Sequence, residues 1–300
     1  MKISYNFMGL KTYCKRLFTF IFNGIPVNHV TANIITLTAN HLLEGRCALI
    51  TGGTSGIGFA IARAFLQAGA SVIITGRTQL TLQEKLEELL EDGKFAGRVY
   101  ACKMNNIEIN TFESCWENIV HSLQGKKIDI LVNNAGIEST SMPYVTEEDF
   151  DKVIDTNLKG TFFLSQFVGK YMIDNKIQGN ILNISSSSCL RPANSPYILS
   201  KWGIRALTMG LAKSLSTYDI TVNSIAPGPT MTPMLKLKEK SDISLESSPI
   251  KRYVMPEEIA QMAVLLVSDM GRTIVGDTIF MTGGLGNLTV DDYDKRYSFD

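Results

Sequence analysis

RCALITGGTSGIGFAIARAFLQAGA, residues 46–70, sets a short apolar run, a glycine-rich turn and a helical repeat in immediate succession. RCALIT has the length and apolar content of a buried strand, and FAIARAFLQAGA carries its apolar residues at helical spacing with a glycine near the end. The alternation continues downstream. SVIITG (71–76), RVYACK (98–103), IDILVNNAG (128–136), NILNISSS (180–187), ITVNSIAPG (220–228) and DTIFMTGG (277–284) read as strands. Between them lie helical patterns at 80–93, 111–123, 147 to about 172, 195–216 and 256–268. Strands alternating with helices predict right-handed crossovers and an α/β, doubly wound (Rossmann-type) parallel seven-stranded sheet with helices on both faces. One continuous catalytic domain is expected over residues 42–286. Residues 1–41 would be an N-terminal accessory extension and 287–300 a C-terminal tail.

Composition sets bounds on function. The 300 residues carry a formal net charge of zero, which gives no sign of a nucleic-acid partner. Five cysteines without C-x-x-C spacing suggest neither a disulfide framework nor a zinc site, so a reducing cytoplasm is the expected location. The three histidines, His29, His41 and His121, are dispersed and come with no acidic cluster, so no metal is expected. No run reaches the ~18–20 apolar residues that a membrane span needs. Lys11, Lys15 and Arg16 precede LFTFIFNGI in a basic-then-apolar order that mimics a signal peptide, but no clear small-x-small cleavage site follows. Residues 1–41 are better read as a segment that packs on the domain or a partner subunit. Membrane-surface contact through Phe18, Phe20 and Phe22 is the weaker alternative.

A doubly wound sheet binds its ligand at the carboxyl ends of its strands. Here those ends carry the unusual residues. In TGGTSGIG (51–58), Gly52 permits a tight turn. Gly56 and Gly58 would let a phosphate approach backbone N–H groups at a helix N-terminus. The second strand ends at Gly76, where an acidic residue would hold ribose hydroxyls. Arg77 and Thr78 follow instead, and a guanidinium there can pair with a ribose 2′-phosphate. In YILSK (197–201), Tyr197 and Lys201 are four residues apart and share a helix face. A free phenol titrates near pH ~10, too high for efficient proton transfer at neutrality. A neighbouring ammonium is expected to lower that value.

These motifs together resemble the short-chain dehydrogenase/reductase family, in its compact single-domain branch, over roughly residues 42–286. The resemblance implies the cofactor contacts: Gly52, Thr54, Ser55, Gly56, Ile57 and Gly58 from the first loop, Arg77 and Thr78 after the second strand, and Asn134, Ala135 and Gly136 from NNAG. It adds Tyr197 and Lys201, then Pro227, Gly228, Thr230 and Thr232, the last beside the nicotinamide carboxamide. Arg77 favours NADP(H) over NAD(H). Ser55 stands where some NADP-using relatives carry a second cation. The implied catalytic set is Asn157, Ser186, Tyr197 and Lys201, with Ser185 as the alternative serine, because only eleven residues separate Ser186 from Tyr197. Asn157 would interrupt its helix and hold a water in the proton path. Residues 231–258 would cover the substrate. The third strand departs from the family, with Lys103 or Asn105 where relatives carry an Asp near the adenine. Thr282 replaces another frequent Asp.

The expected activity is hydride transfer between NADP(H) and a small-molecule carbonyl or secondary alcohol, with Tyr197 as general acid and base. A homotetramer or dimer formed through the two long helices is implied. A non-catalytic dinucleotide sensor would be expected to lose Ser, Tyr or Lys, and all three are present. A sugar-nucleotide epimerase or dehydratase would normally carry a G-x-x-G-x-x-G loop and a larger C-terminal domain.

Overall fold

The computed structural model describes residues 41–91, 93–235 and 242–286. All but the last residue of the expected N-terminal extension, the whole expected tail and part of the covering segment lie outside the described residues. Seven strands, β1 (Cys47–Ile50), β2 (Ser71–Gly76), β3 (Val99–Lys103), β4 (Ile130–Asn133), β5 (Asn180–Ile184), β6 (Thr221–Pro227) and β7 (Thr278–Met281), form one sheet. The order is β3-β2-β1-β4-β5-β6-β7, and every pairing is parallel. Register is fixed by pairs such as Ile50 with Ile74 and Val132, and Asn133 with Asn183. The chain runs outward from β1 to β3, then restarts on the other side of β1 at β4. That reversal opens a crevice between the β1 and β4 ends.

Alternation along each strand feeds two cores. Ala48, Ile50, Val72 and Ile74 point into one, beneath α1 (Gly56–Gln67), α2 (Gln79–Leu90) and α7 (Pro256–Val267). Cys47, Leu49, Ile73 and Leu131 point into the other, beneath α3 (Phe112–Ser122), α5 (Gly160–Asp174) and α6 (Pro196–Leu215). Trp116 anchors the second core edge-on to Phe167 and Tyr171, with centroids at 5.3 and 4.7 Å. Both faces are buried, which is why the strands are apolar throughout rather than alternating.

The helix expected over residues 147 to about 172 is two helices. α4 (Glu147–Ile154) gives way to a π turn, Asp155–Lys159, before α5 begins. The π turn shifts the carbonyl ladder by one residue. Threonine hydroxyls bond to carbonyls on either side of the shift: Thr156 Oγ1 donates to Lys152 O at 2.7 Å and Thr161 Oγ1 to Asn157 O at 2.9 Å. Gly160 follows directly. A Cβ there would sit 2.3 Å from Asn106 O, so only glycine lets the helix approach the loop after β3.

At the amino end of β1, Arg46 Nε donates to Asp129 Oδ2, and its Nη2 donates to Asn180 Oδ1 at 2.6 Å. Asp129 Oδ1 accepts from Cys47 N at 2.9 Å. Burial pushes the Asp129 carboxyl above its ordinary range even though Arg46 opposes the rise. The pair therefore matters chiefly because each member neutralises a largely buried partner. Asp129→Ala is expected to cost about 2–4 kcal/mol by stranding the guanidinium. The midpoint of urea unfolding at constant slope measures it.

Candidate active site

A cleft of about 420 Å³ opens at the carboxyl ends of the strands. Gly52, Thr54, Ser55, Gly56, Ile57, Arg77, Asn134, Ala135, Gly136, Ser186, Tyr197, Lys201, Pro227, Gly228, Thr230 and Thr232 all line it. Of the residues expected at the site, Gly58, Thr78 and Asn157 do not.

The glycine loop enters α1 with Ser55 at the N-cap. Gly52 and Gly56 have φ of +61° and +52°, a region that side chains disfavour. A Cβ on Gly52 would meet Ala135 Cα at 3.0 Å, and one on Gly56 would meet Thr232 Cγ2 at 3.2 Å. The loop thus offers bare backbone at a twelve-residue helix's N-terminus. Gly58 has a different job from the phosphate approach expected of it. Its Cβ would fall 2.4 Å from Asn134 Nδ2 and 2.5 Å from Gly52 O, so it lets α1 pack onto the loop and β4. Thr78 is exposed at the N-cap of α2, outside the cleft.

NNAG holds the loop in place. Asn134 Nδ2 donates to Thr51 O and Gly52 O, both at 3.0 Å. Thr51 Oγ1 accepts from the backbone N–H groups of Asn134 and Ala135, each at 3.0 Å. Asn133 Nδ2 donates to Asn183 Oδ1 at 2.8 Å, tying β4 to β5. The crevice walls are therefore cross-linked by side chains as well as by the sheet.

Asn157 lies in the π turn beneath the cleft. Its Oδ1 accepts from Ile137 N at 2.8 Å, and its Nδ2 donates to Ile137 O at 2.9 Å and Ser200 Oγ at 3.1 Å. The carboxamide thus clamps the segment beyond NNAG and links it to α6. A Cβ on Gly136 would be 3.4 Å from Asn157 Oδ1 and 3.7 Å from Lys201 Nζ, so the three groups converge.

The β5 end separates the two serines. Ser185 is buried, and its Oγ donates to Lys201 O at 3.1 Å. Ser186 faces the other way, as the next residue of an extended chain does. Its Oγ accepts from Ser188 N at 3.1 Å, and Ser186 lines the cleft together with Tyr197. Ser195 caps α6, accepting from Ile198 N at 3.3 Å, and Pro196 follows it at the start of the helix. One turn into α6, Lys201 is only 6 % exposed and donates from Nζ to Ile184 O at 2.9 Å. Its Nζ lies 5.6 Å from the centre of the Tyr197 ring.

Burial pushes the Lys201 ammonium down to about 8. Tyr197 moves opposite to the sequence expectation. Burial raises its pKa; the Ser186 hydrogen bond opposes the rise, and the charge of Glu138 adds to it. Desolvation by the cleft wall thus favours the protonated phenol.

Sequence reading did not single out Met104, Asn106, Thr156 or Ser187 for the cleft, yet all line it. Met104, Asn106 and Ser187 follow strand ends, which was the available signal, whereas Thr156 lies in the π turn and gave none. Lys103 stays outside it. Arg77 is exposed at the rim, with no hydrogen bond or ion pair among the described residues.

Residues 46–242 match the family model described as short chain dehydrogenase. The chain is 39% identical over 249 residues to the 3-oxoacyl-[acyl-carrier-protein] reductase FabG of Rickettsia conorii, covering 81% of this chain and 98% of that protein. It is 36% identical over 252 residues to the 3alpha-hydroxysteroid dehydrogenase of Mediterraneibacter gnavus, covering 81% and 97%. A variant of actinorhodin polyketide ketoreductase solved with NADPH matches with a TM-score of 0.72 at 30% identity, covering 81% of this chain and 97% of that one. Among the described residues no helix is long and apolar enough to cross a membrane. The chain belongs to the short chain dehydrogenase family and is an oxidoreductase that transfers hydride between a nicotinamide cofactor and a CH–OH/C=O group.

Proposed function

We propose that the protein is an NADPH-dependent carbonyl reductase, and that the observation carrying this reading is the Ser186–Tyr197–Lys201 constellation at the floor of the glycine-loop cleft. The bare loop backbone fits a pyrophosphate, and the Arg77 guanidinium fits a ribose 2′-phosphate. Asn134, Ala135, Gly136, Thr230 and Thr232 line the same wall and would hold the rest of the dinucleotide. Bound nicotinamide supplies the hydride. Ser186 orients the substrate oxygen by a hydrogen bond. Tyr197, kept protonated by burial, donates its proton to that oxygen as charge develops on it. Lys201 spends one N–H on Ile184 O and has two left for ribose hydroxyls. Asn157 fixes the segment beyond NNAG and thereby the wall facing Lys201, and a water on its carboxamide competes with Ile137 and Ser200.

The relatives' names supply the substrate classes to try first, 3-oxoacyl thioesters and 3-ketosteroids. Loss of NADPH absorbance with a panel of such carbonyls tests the reading, and no oxidation of NADPH or NADH with any of them overturns it. Arg77→Ala is expected to weaken NADPH binding about ten- to a hundredfold and NADH binding less than about twofold. Titrating both cofactors against both proteins measures it, and an unchanged preference removes the assignment. Exposed Phe162, Phe163, Leu199, Trp202 and Met209 on α5 and α6 support self-association through these helices. Cysteine usage supports a cytoplasmic setting.

A further inference from the structure

Two cysteines meet where the sheet ends. β3 is an edge strand, paired only with β2, and the first turn of α3 brings Cys115 against its end. Cys102 and Cys115 are both free, half-buried and packed on the rim of the second core. Their sulfurs share one acceptor. Cys102 Sγ donates to Lys103 O at 3.7 Å, and Cys115 Sγ donates to the same oxygen at 3.5 Å. Cys102 Sγ also reaches Cys115 O at 3.9 Å. Two sulfurs in contact with a single oxygen are near neighbours of each other. Burial, and after it Cys115, pushes the Cys102 thiol up to about 11, which agrees with a second sulfur at hand. The remaining described cysteines, Cys47 and Cys189, are fully buried.

The same strand end carries part of the cleft. Lys103 is the register partner of Gly76, and Met104 N donates to Gly76 O at 3.0 Å. Gly76 and Arg77 line the cleft, and so does Met104, the residue after Lys103. The carbonyl that both thiols hold is thus one residue from the cleft wall.

We propose that Cys102 and Cys115 are a reversible oxidation site, whose disulfide staples β3 to α3 and weakens the cleft's hold on the nicotinamide dinucleotide. Hydrogen peroxide is the oxidant. One thiolate attacks a peroxide oxygen, the O–O bond breaks, and a sulfenic acid forms as water leaves. The second sulfur then attacks the first, the S–O bond breaks, a second water leaves and the S–S bond closes. Two thiols and one peroxide give one disulfide and two waters, and a dithiol reductant returns the electron pair. An S–S bond of about 2 Å leaves neither sulfur a proton for Lys103 O. The strand end therefore loses both contacts and shifts against Gly76 and the cleft wall.

The test treats the full chain with dilute hydrogen peroxide. Its intact mass is expected to fall by about 2 Da, and dithiothreitol should restore it. Cleavage after Lys103 puts the two cysteines in separate peptides, so a cross-linked pair identifies the bond. Cys102→Ser and Cys115→Ser should each prevent it, and the wild-type peptide map decides even if a variant fails to fold. NADPH affinity, followed by nicotinamide fluorescence, should drop about three- to tenfold on oxidation, the range of one ordinary hydrogen bond, and recover on reduction. Oxygen addition at these sulfurs without a cross-link overturns the site, and so does a disulfide that uses Cys14 instead. A cross-linked protein with unchanged NADPH affinity overturns the coupling to the cleft. The coupling rests on the function proposed above, whereas the disulfide needs no cofactor. Reduced protein that binds no NADPH therefore sinks the functional reading and the coupling, while a missing disulfide sinks this inference alone.

Discussion

Tyr197→Phe should lower kcat by about a hundred- to ten-thousand-fold while NADPH affinity stays within about twofold. In the proposed reaction the phenol is the proton donor, and burial favours its protonated form. The ring itself packs at the start of α6, where Ser139 Oγ accepts from Tyr197 N at 3.1 Å and Ser200 Oγ donates to Tyr197 O at 2.6 Å. Both bonds are to backbone atoms and survive removal of the hydroxyl. The substitution therefore deletes a proton donor without disturbing the fold. Steady-state rates in parallel with fluorescence titration of NADPH separate the two effects. Unchanged turnover would end the role assigned to Tyr197.

Lys201→Met should abolish most activity and at the same time stabilise the protein near pH 7. An ammonium at 6 % exposure is held well below its ordinary pKa, down to about 8, chiefly by desolvation. Below that pH the folded state carries a buried cation that the unfolded chain would solvate, a cost on the order of 2–3 kcal/mol. Methionine fills a similar volume without the charge but leaves Ile184 O unpaired, returning about 1–2 kcal/mol of the gain. A net rise of a few degrees in Tm at pH 7 is expected. Above about pH 8 the folded lysine releases its proton while the unfolded one, with its ordinary value of 10.5, still holds it. Wild-type stability therefore climbs with pH across that window, and the variant's advantage shrinks. Tm against pH for both proteins follows this directly. A variant less stable than wild type at pH 7 would show that the ammonium is well solvated or paired.

Periodicity and composition made the sheet legible. Apolar runs such as SVIITG could be nothing but strands buried on both faces, and glycines at 52 and 56 marked the loop they build. The family resemblance marked a helix interruption at Asn157, but its π geometry was not legible, because the extra residue shows only in which carbonyl each N–H meets. Gly58 looked like a phosphate glycine, since sequence spacing cannot say whether a missing side chain admits a ligand or a neighbouring helix. Sequence could not separate Ser185 from Ser186, because both follow β5 and both line the cleft; the structure adds that Ser185 Oγ is engaged with Lys201 O. Helical spacing gave the proximity of Tyr197 to Lys201 but not the burial around the phenol, which raises its pKa. Asn106 was passed over because its neighbours can be named only once the loop after β3 is seen against Gly160.

The Arg46–Asp129–Asn180 cluster and the reactive residues occupy opposite ends of the same strands. The rigid parallel sheet insulates one from the other. Thermal tolerance can be engineered by reworking ion pairs at the amino edge, and substrate range by reworking the loops at the carboxyl edge, with little cross-talk between the two campaigns.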